Sequence, residues 1–465
     1  MPLLNDIHSR LNATRVDRIV PVDSVEAVVQ AVRAAAEEGK GVSIAGSRHA
    51  MGGQQLGTGT VHLDMRPLRR ILGFDPAAGT VTAEAGIEWP GLIMGCSALQ
   101  GETVRWGIAQ KQTGADRLTL GGSLSVNGHG RGLTMPPLIA DVEAFTLVDA
   151  EGAIHQCSRT ENPELFRLAV GGYGLFGVMT TITLRLSPRR KLERVVEMAR
   201  AGELMPALED RIRDGFLYGD FQFSVDDRSP GFLDEGVFSC YRPVDPGTPI
   251  PPGQRELSDG DWQELFWLAH ADKARAFALY AAHYLASSGQ VYWSDTHQLT
   301  PYFDGYHEAI DARLGIAHPA TEMISELYVP RPDLPAFLGD AAEWLRSCSA
   351  GVIYGTVRLI ERDAESFLAW AREPWACVVL NLCVEHTPAG RERAATAFHG
   401  LIDAAMRRGG SYFLTYHRWA RRDQVEACHP RLVELLRQKR QMDPNERFQS
   451  DWYRHYREMF AEDLR

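Results

Sequence analysis

The glycines of this sequence are the first residues that indicate a function, because they are clustered and their backbone amides could bind an anion. Of the 43 glycines in 465 residues, 24 lie between residues 41 and 177, and half of these are in clusters at 46–53, 119–132 and 171–177. Glycine has no Cβ, so the N–H groups beside it can approach a phosphate closely, and consecutive amides form a nest for its oxygens. The clusters therefore predict a diphosphate cradle. The alternative is that they only form tight turns and bulges in a compact sheet.

Two common nucleotide-binding motifs are excluded by their context. The third cluster contains Gly172-x-Gly174-x-x-Gly177, which formally matches the dinucleotide fingerprint. That fingerprint follows a strand and opens a helix, whereas here a predicted helix at 163–170 comes first and a predicted strand at 178–186 follows. The P-loop pattern G-x-x-x-x-G-K-[ST] does not occur. A Rossmann turn and a P-loop are thus both excluded.

The elements that must hold these clusters fall into two α+β regions. Short strands and helices alternate over residues 15–187 and predict one α+β domain. Residues 190–410 carry longer amphipathic segments, which predict a second α+β domain built on an antiparallel sheet. A chain of this length is expected to exceed a single core. Residues 411–465 form a C-terminal segment with a short aromatic strand and a basic helix.

Composition excludes several classes of protein. The net charge of −11 argues against nucleic acid or an anionic membrane surface as a partner. Seven scattered cysteines without a C-x-x-C pair argue against a disulfide framework and a zinc site, and they favour a reducing compartment. No apolar run is long enough for a membrane span, and the N-terminus does not resemble a signal peptide. We therefore expect a cytoplasmic protein without a metal site.

Four motifs, taken in order, resemble a known family. The segments IAGSRH-x-x-GG, TLGGSLSVNGHGRG, DVEAFTLVDAEG and ELFRLAVGGYGLFGVMTTITLRL are similar to those of FAD-linked oxidases of the vanillyl-alcohol-oxidase type. Within that family the likeness is to aldonolactone oxidases, alditol oxidases and decaprenylphosphoryl-ribose oxidase. The tail segment HPRLVELLRQKRQMDPNERFQSDW is similar to the family's terminal pattern. The resemblance covers residues 15–187 and the tail, and it is weak between them.

The resemblance implies an α+β fold with a PCMH-type FAD-binding lobe of two subdomains. An antiparallel-sheet cap at 190–410 would then form the substrate pocket, and the segment 411–465 would return to the FAD lobe. By motif position, the residues that would contact the cofactor are Ala45, Gly46, Ser47, Arg48, His49, Ala50, Thr113, Gly114, Gly121, Gly122, Ser125, Val126, Gly128, Gly177 and Val178.

His49 is the residue that the resemblance singles out for covalent attachment of FAD. In relatives that tether their flavin, the histidine follows a step like Gly46-Ser47-Arg48, and a neutral imidazole nitrogen is a competent nucleophile. Ala50 departs from that pattern, since a small hydroxyl residue usually stands there. The alternative is a loop histidine that bonds to the backbone. A second tether is not expected, because 123–128 contains no cysteine.

The family strands of the cap supply the catalytic candidates. The segment containing Glu326 is similar to the family strand S-E-Y-x-x-P, and Arg358 corresponds to an arginine thought to steady the charge of the reduced flavin. The glutamate usually paired with that arginine is replaced by Thr356. On the tail segment 413–419, Tyr416 or His417 would act as the base or as a polar clamp. The alternative for both is an interior aromatic strand.

Two further residues lie near the flavin by motif position. His129 is another candidate for the proton-transfer step, although a histidine flanked by glycines often only shapes a loop. Gly128 stands where family members control the access of oxygen, and a glycine there is permissive.

The function implied is oxidation of an alcohol carbon by hydride transfer to flavin N5. The substrate would be a small polyol, sugar or lactone-like molecule, and molecular oxygen would be the acceptor. One alternative is a dehydrogenase that passes electrons to a quinone or another carrier and acts on a sugar-lipid or bulkier substrate. The other is a flavin-binding subunit without turnover.

Overall fold

Two α+β regions follow each other along the chain in the computed structural model, which describes residues 1–300, 303 and 305–465. The strands of the first region are β1 (Leu3–Leu4), β2 (Thr14–Arg15), β3 (Arg18–Pro21), β4 (Val42–Ala45), β5 (Val61–Asp64), β6 (Ile71–Asp75), β7 (Thr80–Glu84), β8 (Trp106–Gly107), β9 (Val142–Val148), β10 (Ile154–Ser158), β11 (Val178–Arg185) and β12 (Ser187–Pro188). Its helices are α1 (Val25–Glu37), α2 (Trp89–Leu99), α3 (Leu120–Ser125) and α4 (Pro163–Ala169), with a 3₁₀ turn at Leu138–Asp141.

Two sheets build this first region. Strands β3, β5 and β4 form a parallel sheet, and β10, β9, β11, β7 and β6 form an antiparallel one in that order. Helix α1 begins where the Ser24 side chain accepts the N–H of Ala27, and it buries Val28 and Val32 in the same core as Leu63 of β5. The three glycine clusters lie after β4, at and after α3, and between α4 and β11. The third therefore lies between a helix and a strand, as expected.

The second region is organised around one large sheet. Its strands are β13 (Lys191–Arg200), β14 (Tyr218–Phe223), β15 (Glu235–Pro243), β16 (Val291–Trp293), β17 (Ala320–Pro330), β18 (Val352–Ile360), β19 (Trp375–Glu385) and β20 (Ser411–Tyr412). The helices from here to the C-terminus are α5 (Ala201–Arg213), α6 (Asp259–Ala271), α7 (Lys273–Ala286), α8 (Tyr306–Leu314), α9 (Leu334–Ser347), α10 (Pro388–Met406), α11 (Arg422–Cys428), α12 (Leu432–Met442) and α13 (Asp451–Met459). Short 3₁₀ turns lie at Thr296–Gln298 and Arg331–Asp333.

The large sheet is antiparallel and has a different helical layer on each face. Its strand order is β16-β13-β15-β14-β18-β19-β17-β20. Because side chains alternate between the faces of a strand, Val196 and Val237 share one face, where α7 packs. Phe238 and Cys240 lie on the other, in the core that includes residues of α5, α9 and α10. This arrangement confirms the α+β class and the antiparallel cap sheet.

The C-terminal segment returns to the first region. Val42 of β4 accepts a hydrogen bond from the N–H of Gln449, at a distance of 2.8 Å. The fully buried ring of Trp452 stacks on Tyr173 with centroids 4.5 Å apart, and its Nε1 donates to the carbonyl of Leu414. No residue of the aromatic segment 413–419 is in a strand, because β20 ends at Tyr412 and turns follow. No helix in the described ranges has the length and apolarity needed to span a bilayer.

We expect the Trp452→Ala variant to lose about 3–5 kcal/mol of unfolding free energy, because it removes a buried ring that joins the C-terminal segment to the glycine-rich region. Urea unfolding followed by circular dichroism measures this loss. Leu99→Ala is the control, since that side chain is 56% exposed and its loss should cost no more than about 0.5 kcal/mol. Equal losses in the two variants would contradict this role of Trp452.

Candidate active site

One cleft in the first region brings the three glycine clusters together. It has a volume of about 950 Å³, part of it open to solvent. Its wall includes many of the positions expected to contact the cofactor, namely Ala45, Gly46, Ser47, Arg48, His49, Ala50, Gly121, Gly122, Ser125, Val126 and Gly177. The cleft extends to Thr415 and Tyr416 of the C-terminal segment. Residues far apart in the sequence thus form one continuous wall.

The remaining expected positions lie beside the cleft. Thr113 and Gly114 directly follow Gln112, which lines the cleft, and the Gly128 backbone passes so close to Gln112 that a Cβ there would lie 3.1 Å from its Oε1. Val178 is buried in the core around α1. Whether these residues contact the cofactor stays a prediction.

Glycine is required where the loop after β4 crosses the start of α3. A Cβ on Gly46 would lie 2.1 Å from Oγ1 of Thr119, the residue whose side chain caps α3 by accepting the N–H of Gly122. Arg48, two residues later, has a left-handed backbone with φ of 58°. That conformation is uncommon for a residue with a side chain and is typical of functional loops.

Polar side chains in and beside the cleft fit the edge of a flavin. Oε1 of Gln54, Oε1 of Gln55 and Oγ1 of Thr113 are buried, and none has a hydrogen-bond partner within the described residues. Buried polar atoms of this kind are normally paired, so their state here indicates a ligand with hydrogen-bonding groups. A flavin ring carries such groups, and the glycine backbone beside α3 suits a diphosphate.

A buried hydrogen-bonded cluster lies behind Tyr416. His129 Nε2 donates to Oε1 of Glu326 over 2.7 Å, and the Sγ of Cys377 donates to the same oxygen over 3.3 Å. The Tyr416 hydroxyl lies near Glu326 and lowers the pKa of that carboxyl. His129 comes from the loop after α3, Glu326 from β17 and Cys377 from β19. The cluster therefore joins the glycine-rich region, the cap sheet and the C-terminal segment.

The cluster shifts the pKa values of Glu326 and Tyr416 in opposite directions. Burial raises the pKa of Glu326, but His129 and the Tyr416 hydroxyl overcome this and hold that pKa below its usual value. Burial and the neighbouring Glu326 raise the pKa of Tyr416 well above its usual value. At neutral pH the glutamate is therefore a carboxylate, and the tyrosine keeps its proton.

Arg358 brings a buried positive charge to the same end of the cap sheet. It pairs in register with Cys377 and is 9% exposed, and no carboxylate in the described part of the chain lies within ion-pair distance of it. Burial lowers its pKa, but Tyr354, Asp220 and other neighbours raise it above the ordinary value. Thr356, two residues earlier, has a fully buried side chain whose Oγ1 has no partner there.

His417 lies away from this cluster. Its ring stacks on Phe398 of α10, with centroids 4.5 Å apart. Burial, with His399 nearby, lowers the pKa of His417 to about 3, so the ring is neutral. The structure therefore brings Glu326, Arg358 and Tyr416 together, and it places His417 in the packing of α10.

Two residues near the site could not be predicted from any sequence motif. Cys377 stands in an apolar strand and reaches Glu326 only because β19 lies beside β17. Lys111 is fully buried with its Nζ 3.0 Å from Asp116, and its pKa is lowered by burial.

Part of the first region matches a known protein family, and the chain has several distant relatives. Residues 16–158 match the family described as FAD binding domain. The chain is 28% identical over 226 residues to an uncharacterised oxidoreductase, ORF5 of the fasciation locus of Rhodococcoides fascians, covering 45% of this chain and 47% of that protein. It is 29% identical over 191 residues to L-gulonolactone oxidase of Bos taurus, covering 41% and 42%. It is 32% identical over 157 residues to cytokinin dehydrogenase 6 of Oryza sativa subsp. japonica, covering 33% and 30%.

These matches confirm the expected cofactor. Residues 16–158 match an FAD-binding domain of the PCMH type, and this match supports FAD as the cofactor. The chain spans less than half the length of each of these relatives.

We expect Gly46→Ala to weaken FAD binding at least about tenfold, equivalent to 1.4 kcal/mol, because the added methyl group collides with the cap of α3. Titration of apo-protein with FAD, followed by flavin fluorescence, measures the affinity. Gly202→Ala in α5 is the matched control, since a Cβ there meets nothing within 4 Å. Unchanged FAD affinity in Gly46→Ala would show that the cofactor does not use this loop.

Proposed function

We propose that this protein, which carries an FAD-binding domain at residues 16–158, is an FAD-dependent oxidoreductase acting on an alcohol carbon. Its substrate would be a small polyol, sugar or lactone-like molecule. The observation that carries the proposal is the Tyr416–Glu326–His129 cluster, which reaches the end of the FAD cleft. Oxidation of an alcohol needs a proton acceptor beside the hydride acceptor, and this cluster provides one.

The proton follows the hydrogen bonds of the cluster. Bound FAD supplies the hydride acceptor. Tyr416 lines the cleft, and in this proposal its hydroxyl oxygen meets the substrate hydroxyl. Tyr416 takes the hydroxyl proton as its own proton passes to the Glu326 carboxylate. His129 holds that carboxylate in place from the other side, because its Nε2 bonds to Glu326 while its Nδ1 bonds to the carbonyl of Gly130.

Arg358 acts through its charge. It is buried beside Cys377 and lies close enough to Glu326 for the two charges to interact. A fixed positive charge in a site that excludes water stabilises negative charge that develops during the reaction. Arg358 can therefore fill the role expected from the resemblance although Thr356 replaces the family's glutamate.

Molecular oxygen is our proposed electron acceptor. The supporting observation is Gly128, which leaves a side-chain-free backbone beside Gln112 at the cleft. The alternative is a dehydrogenase with a quinone or another carrier, acting on a bulkier substrate. Relatives named as oxidases and as dehydrogenases both occur.

Covalent attachment of FAD through His49 belongs to the same proposal. His49 lines the cleft and is buried. Burial, together with His8 and Arg117, lowers the pKa of His49 to about 2. The imidazole is therefore neutral at physiological pH and retains a nucleophilic nitrogen.

We expect Tyr416→Phe and Glu326→Gln each to lower kcat by about 10²–10⁴-fold, the usual contribution of a general base. FAD absorbance should stay unchanged, because neither substitution removes a cleft backbone group. Glu322→Gln is the matched control: Glu322 also lies on β17 and is bound by His270 and Asn381, away from the cleft. Full activity in Tyr416→Phe would show that Tyr416 does not accept the proton of the substrate.

A panel of lactones, polyols, sugars and amines separates the candidate activities. We expect hydrogen peroxide from the alcohol-bearing members in equimolar amount to oxidised product. A dehydrogenase would need an added dye or quinone to turn over. A flavin-binding subunit would leave FAD oxidised with every compound in the absence of oxygen, and this result would contradict the proposed function.

A further inference from the structure

The cap sheet has one polar face that is only partly covered in its middle. Asp220 of β14 and Tyr354 of β18 lie on the two central strands of the eight-stranded sheet, and both side chains remain partly exposed. Phe221 pairs in register with Val357. The residues next to this pair, Asp220 and Arg358, therefore lie side by side on one face, since side chains alternate along a strand. The helices of that face thus leave part of the two central strands open.

Arg131 connects this face to the glycine-rich loop that supplies His129. Its backbone runs beside the start of β14, where the N–H of Gly219 donates to the carbonyl of Arg131 over 3.0 Å. Nη2 of Arg131 donates to the carbonyl of His297 over 2.6 Å, and Nη1 lies 3.8 Å from Oδ2 of Asp220. The Nε of Arg131 is buried and has no hydrogen-bond partner among the described residues. Arg131 therefore keeps an unused donor beside the central strands.

Two further arginines lie on the same face, and together with Arg131 they form the arginine cluster: Arg131, Arg194 and Arg358. Arg194 of β13 donates to the hydroxyls of Tyr241 and Ser287. The guanidinium carbons of Arg131 and Arg194 both lie over the ring of Tyr241, 5.0 and 5.3 Å from its centroid. Within residues 1–300, 303 and 305–465, neither Arg194 nor Arg358 has a carboxylate at ion-pair distance, and the buried Nε of Arg358 has no partner.

The positive charges of this face exceed its negative charges. Glu326 is paired with His129, whose two ring nitrogens both face acceptor oxygens and therefore both carry protons. The arginine cluster then has one carboxylate, Asp220, for three guanidinium groups. Uncompensated charge away from water is unfavourable. Even with Arg358 assigned to the negative charge of the reduced flavin, one positive charge is left for another anion.

Lys111 joins the arginine cluster to the FAD cleft. Burial lowers the pKa of Lys111, Asp116 raises it, and the nearby charges of Arg131 and Arg358 lower it. Nζ of Lys111 lies 3.0 Å from Asp116, so this pair adds no net charge. The next residue along the chain, Gln112, lines the cleft. The arginine cluster is therefore adjacent to the cofactor cleft.

The distance between the proton-transfer cluster and Arg131 suits a small substrate. Strand β14 is three strands away from β17, about 14 Å at about 4.8 Å per strand. The Tyr416 hydroxyl lies near Glu326 at one end of this interval, and the Arg131 guanidinium lies beside Asp220 at the other. Because side chains from both ends shorten the interval, a molecule of sugar size reaches from one end to the other.

We propose that the substrate carries a carboxylate and that Arg131 binds it. This inference rests on the proposed function and narrows its substrate class to a sugar acid, which has an alcohol carbon and a carboxylate in one molecule. A guanidinium group presents five N–H donors, and a carboxylate accepts two of them at once. A single surplus positive charge matches a carboxylate better than a phosphate ester, whose charge at neutral pH is about −1.5 to −2. Asp220, beside Arg131, repels the second negative charge of a phosphate.

The test uses the FAD-loaded full chain and three compounds that share a carbon skeleton and differ in charge: D-sorbitol, D-gluconate and the terminal phosphate ester of sorbitol. Turnover is followed with oxygen and with an added dye, and flavin bleaching is followed without oxygen. The variants are Arg131→Gln, which keeps a hydrogen-bond donor and removes the charge, and Arg131→Lys, which keeps the charge. Arg242→Gln is the matched control, because Arg242 of β15 is half exposed and pairs with Glu193.

We expect wild type and Arg242→Gln to prefer gluconate to sorbitol by about tenfold or more in kcat/KM, a factor equivalent to about 1.4 kcal/mol. In Arg131→Gln, kcat/KM for gluconate should fall about 30-fold or more, equivalent to about 2 kcal/mol, because a buried charge loses its partner. The loss should appear mainly in KM, sorbitol should change little, and Arg131→Lys should recover part of the loss.

Three results would overturn this inference and leave the proposed function standing. They are equal use of sorbitol and gluconate by wild type, a preference for the phosphate ester, and an equal loss with both substrates in Arg131→Gln, which would show a structural role. Flavin that stays oxidised without oxygen in the presence of all three compounds, and of the lactones and sugars above, would instead contradict the proposed function.

Discussion

The hydrogen bond between His129 and Glu326 is the interaction on which the rest of the site depends. A carboxylate buried to this extent is stable only when several donors surround it. The groups that stabilise it come from three separate parts of the chain: His129 of a glycine-rich loop and Cys377 of a neighbouring cap strand are hydrogen-bonded to it, and Tyr416 of the C-terminal segment lowers its pKa. Satisfying one charge therefore fixes how the FAD-binding region, the cap and the tail meet. The geometry of the candidate site follows from that requirement.

The register of the cap sheet places a second buried glutamate, Glu322, away from the FAD cleft. Glu326 pairs across β17 and β19 with Val379, which pairs in turn with Thr356 of β18. Four residues along β17 on the same face, Glu322 binds His270, Tyr306 and Asn381. Two buried glutamates thus lie about 13 Å apart on one surface, given about 3.3 Å per residue. The first adjoins the cofactor cleft, and the second fixes helices α6 and α8 over the cap sheet.

The cofactor could be predicted from the sequence because the motifs that indicate it are short, continuous segments. Each glycine cluster is a short segment, and the succession of α4, glycines and β11 alone separates this cradle from a Rossmann turn. The proton-transfer cluster is different, since His129 and Glu326 are 197 residues apart and Cys377 is a further 51 away. Sheet register brings Glu326 and Cys377 together, and the loop after α3 brings His129 to them. Tyr416 and His417 were equivalent candidates in the sequence. In the turn after β20, the Tyr416 hydroxyl lies near Glu326, whereas the His417 ring packs on Phe398.

The central claim is that the cleft positions an alcohol carbon for hydride removal while Tyr416 and Glu326 take its proton. Anaerobic rapid mixing of the FAD-loaded protein with a lactone or polyol deuterated at the reacting carbon tests it most directly. The account predicts that flavin absorbance bleaches in a single turnover and that deuterium at that carbon slows the bleaching. Flavin that stays oxidised with every alcohol-bearing compound, while an amine bleaches it, would contradict the account.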